Sequence, residues 1–417
     1  MEDNGEGEVP NNAPTGGGDG GGGGAPPAAI PEVDEDDTDE EEQQFDIALA
    51  ASHSYMGPGL VAVSGRSVLE AGWQGRVPVV AHHGAVFPGE TVPMRLPNAH
   101  DAAVLARAIK QDKLFGLLCP DESGTLVSGY GVLCEVFEAG SDEPPAALTF
   151  KARANHRFRL LDMPTHSVPI HIYTRMRFVE VVVLPDNQPS QPLQRARLAS
   201  LDPLRARPIT HPMERRVRQM DASVTPWPLF VYDMFHYRRM RRRIEEYFHS
   251  IIDKLPEDPV SLSFWTASNL ALSARDRLAL FVVDNALLRL HMETGLIAQK
   301  SLLCCSSCVG EIAHREHMFA MSSDGVHSNY TNLGGYMHDI VTVSQAHNTE
   351  LSGAPSAEYS WFPGYTWTIL LCANCMAHVG WRFDAMKRNL RPQQFYGLCR
   401  NYVQPRADRA APAAPPE

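Results

Sequence analysis

The feature that most constrains this chain is a pair of cysteine knuckles, CSSC at 305–308 and CANC at 372–375. A Cys-x-x-Cys turn converges two thiolates on one point, and four thiolates suit a tetrahedral ion of borderline softness, zinc above all. The expected ligands are Cys305, Cys308, Cys372 and Cys375, holding one structural Zn2+, because four protein ligands leave no coordination position open for chemistry. The 63 residues between the knuckles far exceed the ~15–20 of a short zinc ribbon, so the ion closes a long loop carrying a whole subdomain. In so small a unit, metal binding supplies much of the folding energy. Cys119, Cys134, Cys304 and Cys399 are scattered and read as core residues, a pattern that suits reduced, metal-binding thiols and not a disulfide framework. Two alternatives stand beside this: two unrelated pairs of buried thiols, or His314 and His317 replacing one knuckle.

The second knuckle is crowded by rings. SWFPGYTW (360–367) sets Trp361 and Trp367 on either side of Pro363-Gly364, and Trp381-x-Phe383 is a strand alternation that sends two rings to one face. Trp361, Trp367, Trp381 and Phe383 can build an aromatic box that holds flat or weakly polar rings through buried area and the ring quadrupole. The same four rings also suit a packed core.

Elsewhere the pattern changes three times. Residues 1–44 hold fourteen of the 49 acids, no Lys or Arg, and a GGGDGGGGG run, a composition expected to stay disordered. The other 35 acids face 37 bases, so the rest carries no stripe of charge for nucleic acid or membrane. From 45 to 185 the signals are strands, at 77–96, 114–119, 129–139, 148–163 and 177–184, with one helix at 99–112 that turns Ala103, Leu105 and Ile109 to one side. That spacing predicts an antiparallel barrel or sandwich. A Pro- and Arg-rich connector (187–228) leads into a mainly helical region, 186–300. There 229–255 reads as an amphipathic helix with Ile244, Tyr247, Phe248, Ile251 and Ile252 on one face, and its RRMRRR tract reads as a solvated face. A short helix is expected at 261–270. Ser273 and Asp276 cap another at 277–294, which Gly295 is placed to stop. A β-rich unit follows at 301–405, and 406–417 reads as an unstructured tail. No secretory or transit signal and no 18-residue apolar run is visible, which predicts a soluble protein of the nucleus or cytosol.

Three stretches, SAEYSWFPGYTW (356–367), CANCMAHVGWRF (372–383) and QQFYGL (393–398), together resemble the C-terminal ligand-binding domain of the cereblon family. VFPGETVPM (86–94) resembles the Lon N-terminal domain, and WPLFVYDMF…RRRIEEYF (227–248) the helical insert that follows it, so the likeness covers about 45–405. It implies an α+β, multidomain chain: a β-rich Lon N-terminal-like domain (45–300, with 186–300 its helical adaptor-binding segment) and a zinc-pinned antiparallel β domain (301–405). It also implies a non-catalytic substrate receptor of a cullin–RING ubiquitin ligase, in nucleus and cytoplasm. The helical segment would dock on the damaged-DNA-binding adaptor protein, and the tri-tryptophan pocket would hold cyclic-imide or glutarimide degrons of substrate proteins. Carried over residue by residue, the walls are Trp361, Trp367, Trp381 and Phe383, the imide-facing contacts Tyr359 and the backbone at Ser360 and Trp361, with Asn332 on a neighbouring loop and Glu358 beside the pocket. The chain departs from the vertebrate pattern at Tyr359, where the resemblance expects histidine, and at Leu333-Gly334, where it expects Pro-His. Neither an ATPase loop G-x-x-x-x-G-K-[ST] nor a G-x-S-x-G elbow is present. An aromatic-cage reader of methylated cations, with Glu358 as its acid, is the competing function.

Overall fold

Period-2 patterning and Pro/Gly punctuation between 74 and 183 produce β3 (Gln74–Ala81), β4 (Thr91–Leu96), β5 (Leu114–Pro120), β6 (Val127–Gly140), β7 (Leu148–Leu160) and β8 (Arg177–Val183), preceded by the short β2 (Leu60–Ala62). The computed structural model describes residues 41–65, 69–140, 147–161, 168–187, 199–205, 212–224, 227–252, 254–297 and 302–407. Most of the acidic tail, nearly half of the Pro/Arg connector (187–228) and nearly all of the C-terminal tail lie outside them. The strand order β2-β6-β5-β3-β8-β7-β4, with β6 also paired to β7, closes β3, β5, β6, β7 and β8 into a five-stranded barrel. The expected antiparallel ring contains one parallel pair, β3 with β5, because the helix Ala99–Gln111 carries the chain back before β5 begins. Alternate residues serve two cores. Val79, Leu118, Leu133 and Phe158 join one cluster, while Val80, Leu117, Val132 and Ala154 join another.

The helix Ala99–Gln111 starts where Asn98 accepts the N–H groups of His100 and Asp101. It buries Ala102, Leu105 and Ala108; Ala103, expected inside, is exposed, since the buried face runs one residue earlier. Three helical expectations need correction. The helix read at 229–255 is two, Leu229–Met234 and Tyr237–Phe248. Met240, Ile244 and Phe248 form its buried stripe, and Ile251 and Ile252 lie beyond the end in a turn closed onto the Phe248 carbonyl. The helix read at 277–294 is also two, Ala274–Phe281 and Ala286–Ile297. The fully buried Arg289 explains this break: its guanidinium takes the Leu280 carbonyl at 3.2 Å and the Val283 carbonyl at 2.5 Å, satisfying groups the first helix leaves open. Asn285 then caps the second helix by accepting the Leu288 N–H at 3.0 Å. Gly295 consequently sits inside a helix and does not stop one. The Ser273 cap stands as expected, accepting the Asp276 N–H at 3.2 Å, and the short helix is Pro259–Asn269, begun by Asp258.

Among the described residues the C-terminal region is two antiparallel sheets. The first holds β9 (Leu302–Cys305), β10 (Glu311–His314) and β18 (Val403–Arg406) in the order β10-β9-β18. The second holds β11 (His327–Thr331), β12 (Met337–Val343), β13 (Thr349–Ser356), β14 (Tyr365–Cys372), β15 (His378–Ala385) and β17 (Gln394–Cys399) in the order β11-β12-β17-β15-β14-β13. Its two edges differ. β11 is wholly buried, whereas β13 is largely exposed and breaks register between Ser352 and Ser356, around Gly353 and Pro355. The acidic tail also ends earlier than expected: β1 (Gln43–Gln44) pairs in parallel with β16 (Leu390–Arg391), anchored by Phe45 packing edge-on to Tyr365 at 5.5 Å.

One apolar cluster runs from the barrel (Phe87, Phe150) through the helices (Ile244, Leu262, Phe281) into the zinc sheets (Ile312, Leu398). Buried polar groups fasten the same junction. Glu90, from the Pro88-Gly89 turn, accepts the Phe87 N–H (2.9 Å), the Ser268 hydroxyl (2.7 Å) and the Asn329 amide (2.8 Å). Asp339 on β12 accepts from Arg277 at 3.0 Å, lies 3.3 Å from Arg400 Nε, and contacts His327. Arg277 and Arg400 are themselves almost fully buried. Asp339→Ala therefore leaves two cations without their shared counter-charge, and we expect a loss of about 3–5 kcal/mol. Denaturant titration of the full chain checks this, and a loss below about 1 kcal/mol would show that water already solvates the pair.

Candidate functional site: a four-sulfur centre beside an aromatic cavity

The two knuckles are built alike. Cys305 and Cys372 each end a strand, β9 and β14. The N–H of Val309 returns to the Cys305 carbonyl at 2.9 Å, and the N–H of Met376 to the Cys372 carbonyl at 2.8 Å. Both returning residues sit in the left-handed region, at φ 66° and 60°. This shared turn points all four sulfurs at one centre, within 4.8 Å of one another. Cys305 Sγ lies 3.7 Å from Cys375 Sγ, and Cys308 Sγ 3.5 Å from Cys372 Sγ. A disulfide would be about 2.0 Å, whereas sulfurs ~2.3 Å from one tetrahedral ion sit about 3.8 Å apart. The donor set and spacing fit one zinc ion. A backbone N–H at Ala377 favours the Cys375 thiolate, but desolvation and the crowding sulfurs of Cys308, Cys305 and Cys372 outweigh it and push this thiol up to about 12, a repulsion a cation relieves. Cys119, Cys134, Cys304 and Cys399 are buried and stand apart from the centre, as do His314 and His317.

Beyond Cys372, strand β14 carries the ring site. A cavity of about 310 Å3 is lined by Trp361, Trp367, Trp381 and Phe383, with Asn332, Glu358, Tyr359, Leu333, Gly334 and Ile369 completing the wall. Trp361 and Trp381 meet edge-to-face at 4.8 Å, and Trp361 stacks on Tyr330 at 5.2 Å. Both outer indoles are pinned through nitrogen, Trp361 to the Thr331 carbonyl at 3.1 Å and Trp367 to the Glu358 carbonyl at 2.9 Å. The Pro-Gly turn works through Gly364 at φ 92°, which brings Phe362 and Tyr365 into a 3.1 Å backbone contact. Of the eight ring-site residues expected from sequence, Ser360 alone is not in the wall: it is buried, its hydroxyl donating to the Phe362 carbonyl at 3.2 Å, so it holds the turn. Ile369 was not expected. Its signal was available, since it lies two residues from Trp367 on one strand and opposite Trp381 on the next. His338 packs behind the wall, 4.9 Å from Trp381; burial, then His378 and His83, hold its imidazole down to about 4, so it adds no charge behind the rings near neutral pH.

The loop carrying Asn332 is a separate device. Asn332 accepts the Tyr336 N–H at 2.9 Å and so folds the loop on itself. Gly335 at φ 84° lies against β4, where a Cβ would come within 2.4 Å of the Arg95 carbonyl, and Arg95 in turn donates to the Leu333 carbonyl at 3.0 Å.

Residues 301–406 match a family described as Yippee zinc-binding/DNA-binding /Mis18, centromere assembly. Cereblon of Danio rerio is 31% identical over 384 residues, covering 87% of this chain and 88% of the fish protein. The chain belongs to the cereblon family. Gallus gallus cereblon is 30% identical over 388 residues, covering 88% and 86%. Drosophila pseudoobscura pseudoobscura cereblon is 33% identical over 377, covering 86% of this chain but 59% of the fly protein, so the chain spans less than two thirds of that relative. As a cereblon-family chain it presents Tyr359, Leu333 and Gly334 directly at the cavity rim.

Removing the ion should unfold the C-terminal sheets. Cys305→Ser, or a strong chelator, is expected to abolish the near-ultraviolet circular dichroism of the cavity tryptophans, with zinc content falling from one cysteine-bound ion per chain. An unchanged melting profile after complete zinc removal would show that the apolar core suffices without it.

Proposed function

We propose that this chain is a cereblon-type substrate receptor of a cullin–RING ubiquitin ligase, without catalysis of its own, that recognises cyclic-imide or glutarimide groups. The observation that carries this reading is the cavity walled by three indoles and a phenyl ring, close to the lower size bound of small-ligand pockets. An imide presents one N–H donor between two acceptors and a CH2 edge. Indole faces cover that edge and exclude water, while polar groups near Asn332 and the 358–361 turn are close enough to meet the imide.

Docking on the damaged-DNA-binding adaptor is assigned to the helical segment. Met213, Met220, Val224, Trp227, Leu229, Phe230 and Met234 are exposed there, Phe230 at 67%. Exposed apolar residues of this kind support a protein partner over a nucleic-acid one. Among the described residues no helix is long and apolar enough to cross a membrane. Action in nucleus and cytoplasm is part of the same proposal.

Trp367→Ala and Trp381→Ala are expected to cost about 2 kcal/mol or more, roughly 30-fold in affinity for a glutarimide measured by calorimetry, with adaptor binding intact. Displacement of the glutarimide by trimethyl-lysine would instead favour a cation reader using Glu358. Phe230→Asp should abolish co-elution with the adaptor while sparing glutarimide binding; loss of both together would place the two functions on one surface.

A further inference from the structure

Three imidazoles gather away from the sulfur centre. His314 at the end of β10, His317 in the turn that follows, and His347 in the loop between β12 and β13 have ring centroids 5.7, 5.8 and 6.2 Å apart. We propose that these three histidines form a second metal site, for a borderline divalent transition ion such as Zn2+.

Geometry carries the assignment. Imidazole nitrogens ~2.0–2.1 Å from an ion place ring centroids about 3.2 Å from it and about 5.2 Å from one another in a tetrahedral site. The observed separations exceed this by roughly half to one ångström, and the rings stand at 60–76° to each other, so side-chain rotation must draw one nitrogen of each inward to a common centre. The supporting groups are present. His314 Nε2 lies 2.7 Å from Glu311 Oε1, an arrangement that orients a ligating imidazole and leaves Nδ1 for the metal. His317 Nδ1 is buried with no hydrogen-bond partner, an unmet acceptor or donor that coordination satisfies. The backbone holds the trio together independently of any ion: His347 N–H donates to the Ile312 carbonyl at 2.7 Å, and Ser344 N–H to the His317 carbonyl at 2.8 Å.

Three nitrogens leave a fourth position for water or a carboxylate, unlike the closed sulfur centre. The site also braces the neighbouring knuckle. Asn348, directly after His347, accepts the N–H of Ala373 at 2.8 Å and donates through its side chain to the Glu311 carbonyl at 2.9 Å. An ion on the histidines would fix the loop from which the second Cys-x-x-Cys turn hangs.

The test is metal stoichiometry of the full chain, dialysed against low-micromolar Zn2+ and read by elemental analysis. The wild-type chain should hold two zinc ions and His347→Ala one, with affinity for the second ion at least tenfold weaker in His317→Ala. His347 is exposed, so the melting profile of its variant with the cysteine-bound zinc alone should be unchanged. Cobalt offered to the chain holding only its cysteine-bound zinc should give weak visible bands without the intense thiolate-to-metal absorption. A wild-type chain that stays at one zinc, a second ion that persists in both variants, or a thiolate band on the second cobalt would each overturn the assignment.

Discussion

The C-terminal architecture depends on four sulfurs meeting at one point. Two similar turns, 63 residues apart in sequence, stand at the ends of strands that belong to different sheets, β9 in one and β14 in the other. Apolar burial takes in only the first cysteine of each turn, Cys305 and Cys372, and leaves Cys308 and Cys375 exposed. A shared ion joins all four, and it fixes the start of the geometry on which the ring site is built. Trp367 and Ile369 lie on the strand that Cys372 terminates, and Trp381 and Phe383 on the strand that follows the second turn. The cavity is therefore a distance of a few residues from the ion on two of its sides.

Its third side is borrowed. The loop holding Asn332, Leu333 and Gly334 closes the wall, yet it rests on Arg95 of the barrel, with Gly335 supplying the close approach. Glu90 and Asp339 hold the barrel, helices and sheets at this junction with hydrogen bonds whose partners are buried and leave little slack. The site is thus an assembly of parts whose own stabilities come from different sources: an ion, a closed ring of strands, and a buried polar junction.

The sequence made the most of this visible where a single local rule decides. The four cysteine ligands follow from spacing alone, and the strands at 114–119, 129–139 and 177–184 from alternation, which survives in the first two as two-sided burial and in the third as one buried side. The ring residues were readable because a Pro-Gly turn and an i, i+2 pair each aim side chains without help from distant chain. What failed depended mostly on partners far away. The break between the helices at 281 and 286 is set by Arg289 reaching back to carbonyl groups, and reading the stretch as one helix passes over the local cap signal at Asp284-Asn285. Closure of the barrel through β6 and β7 and the pairing of Gln43–Gln44 with β16 are likewise long-range events. Ser360 was named for its backbone by resemblance; its hydroxyl turns inward to the Phe362 carbonyl.

The exposed edge of the six-stranded sheet bears on the proposed receptor role. β13 lies beside β14, so a chain bound at the cavity would meet an edge strand, the usual template for adding one more by main-chain pairing. Here Gly353 at φ 83° bends the strand and Pro355 offers no N–H, so the ladder cannot extend along it. A receptor built this way would grip a partner by side chains and shape, and would offer a partly unfolded one no rail on which to zip up and stay.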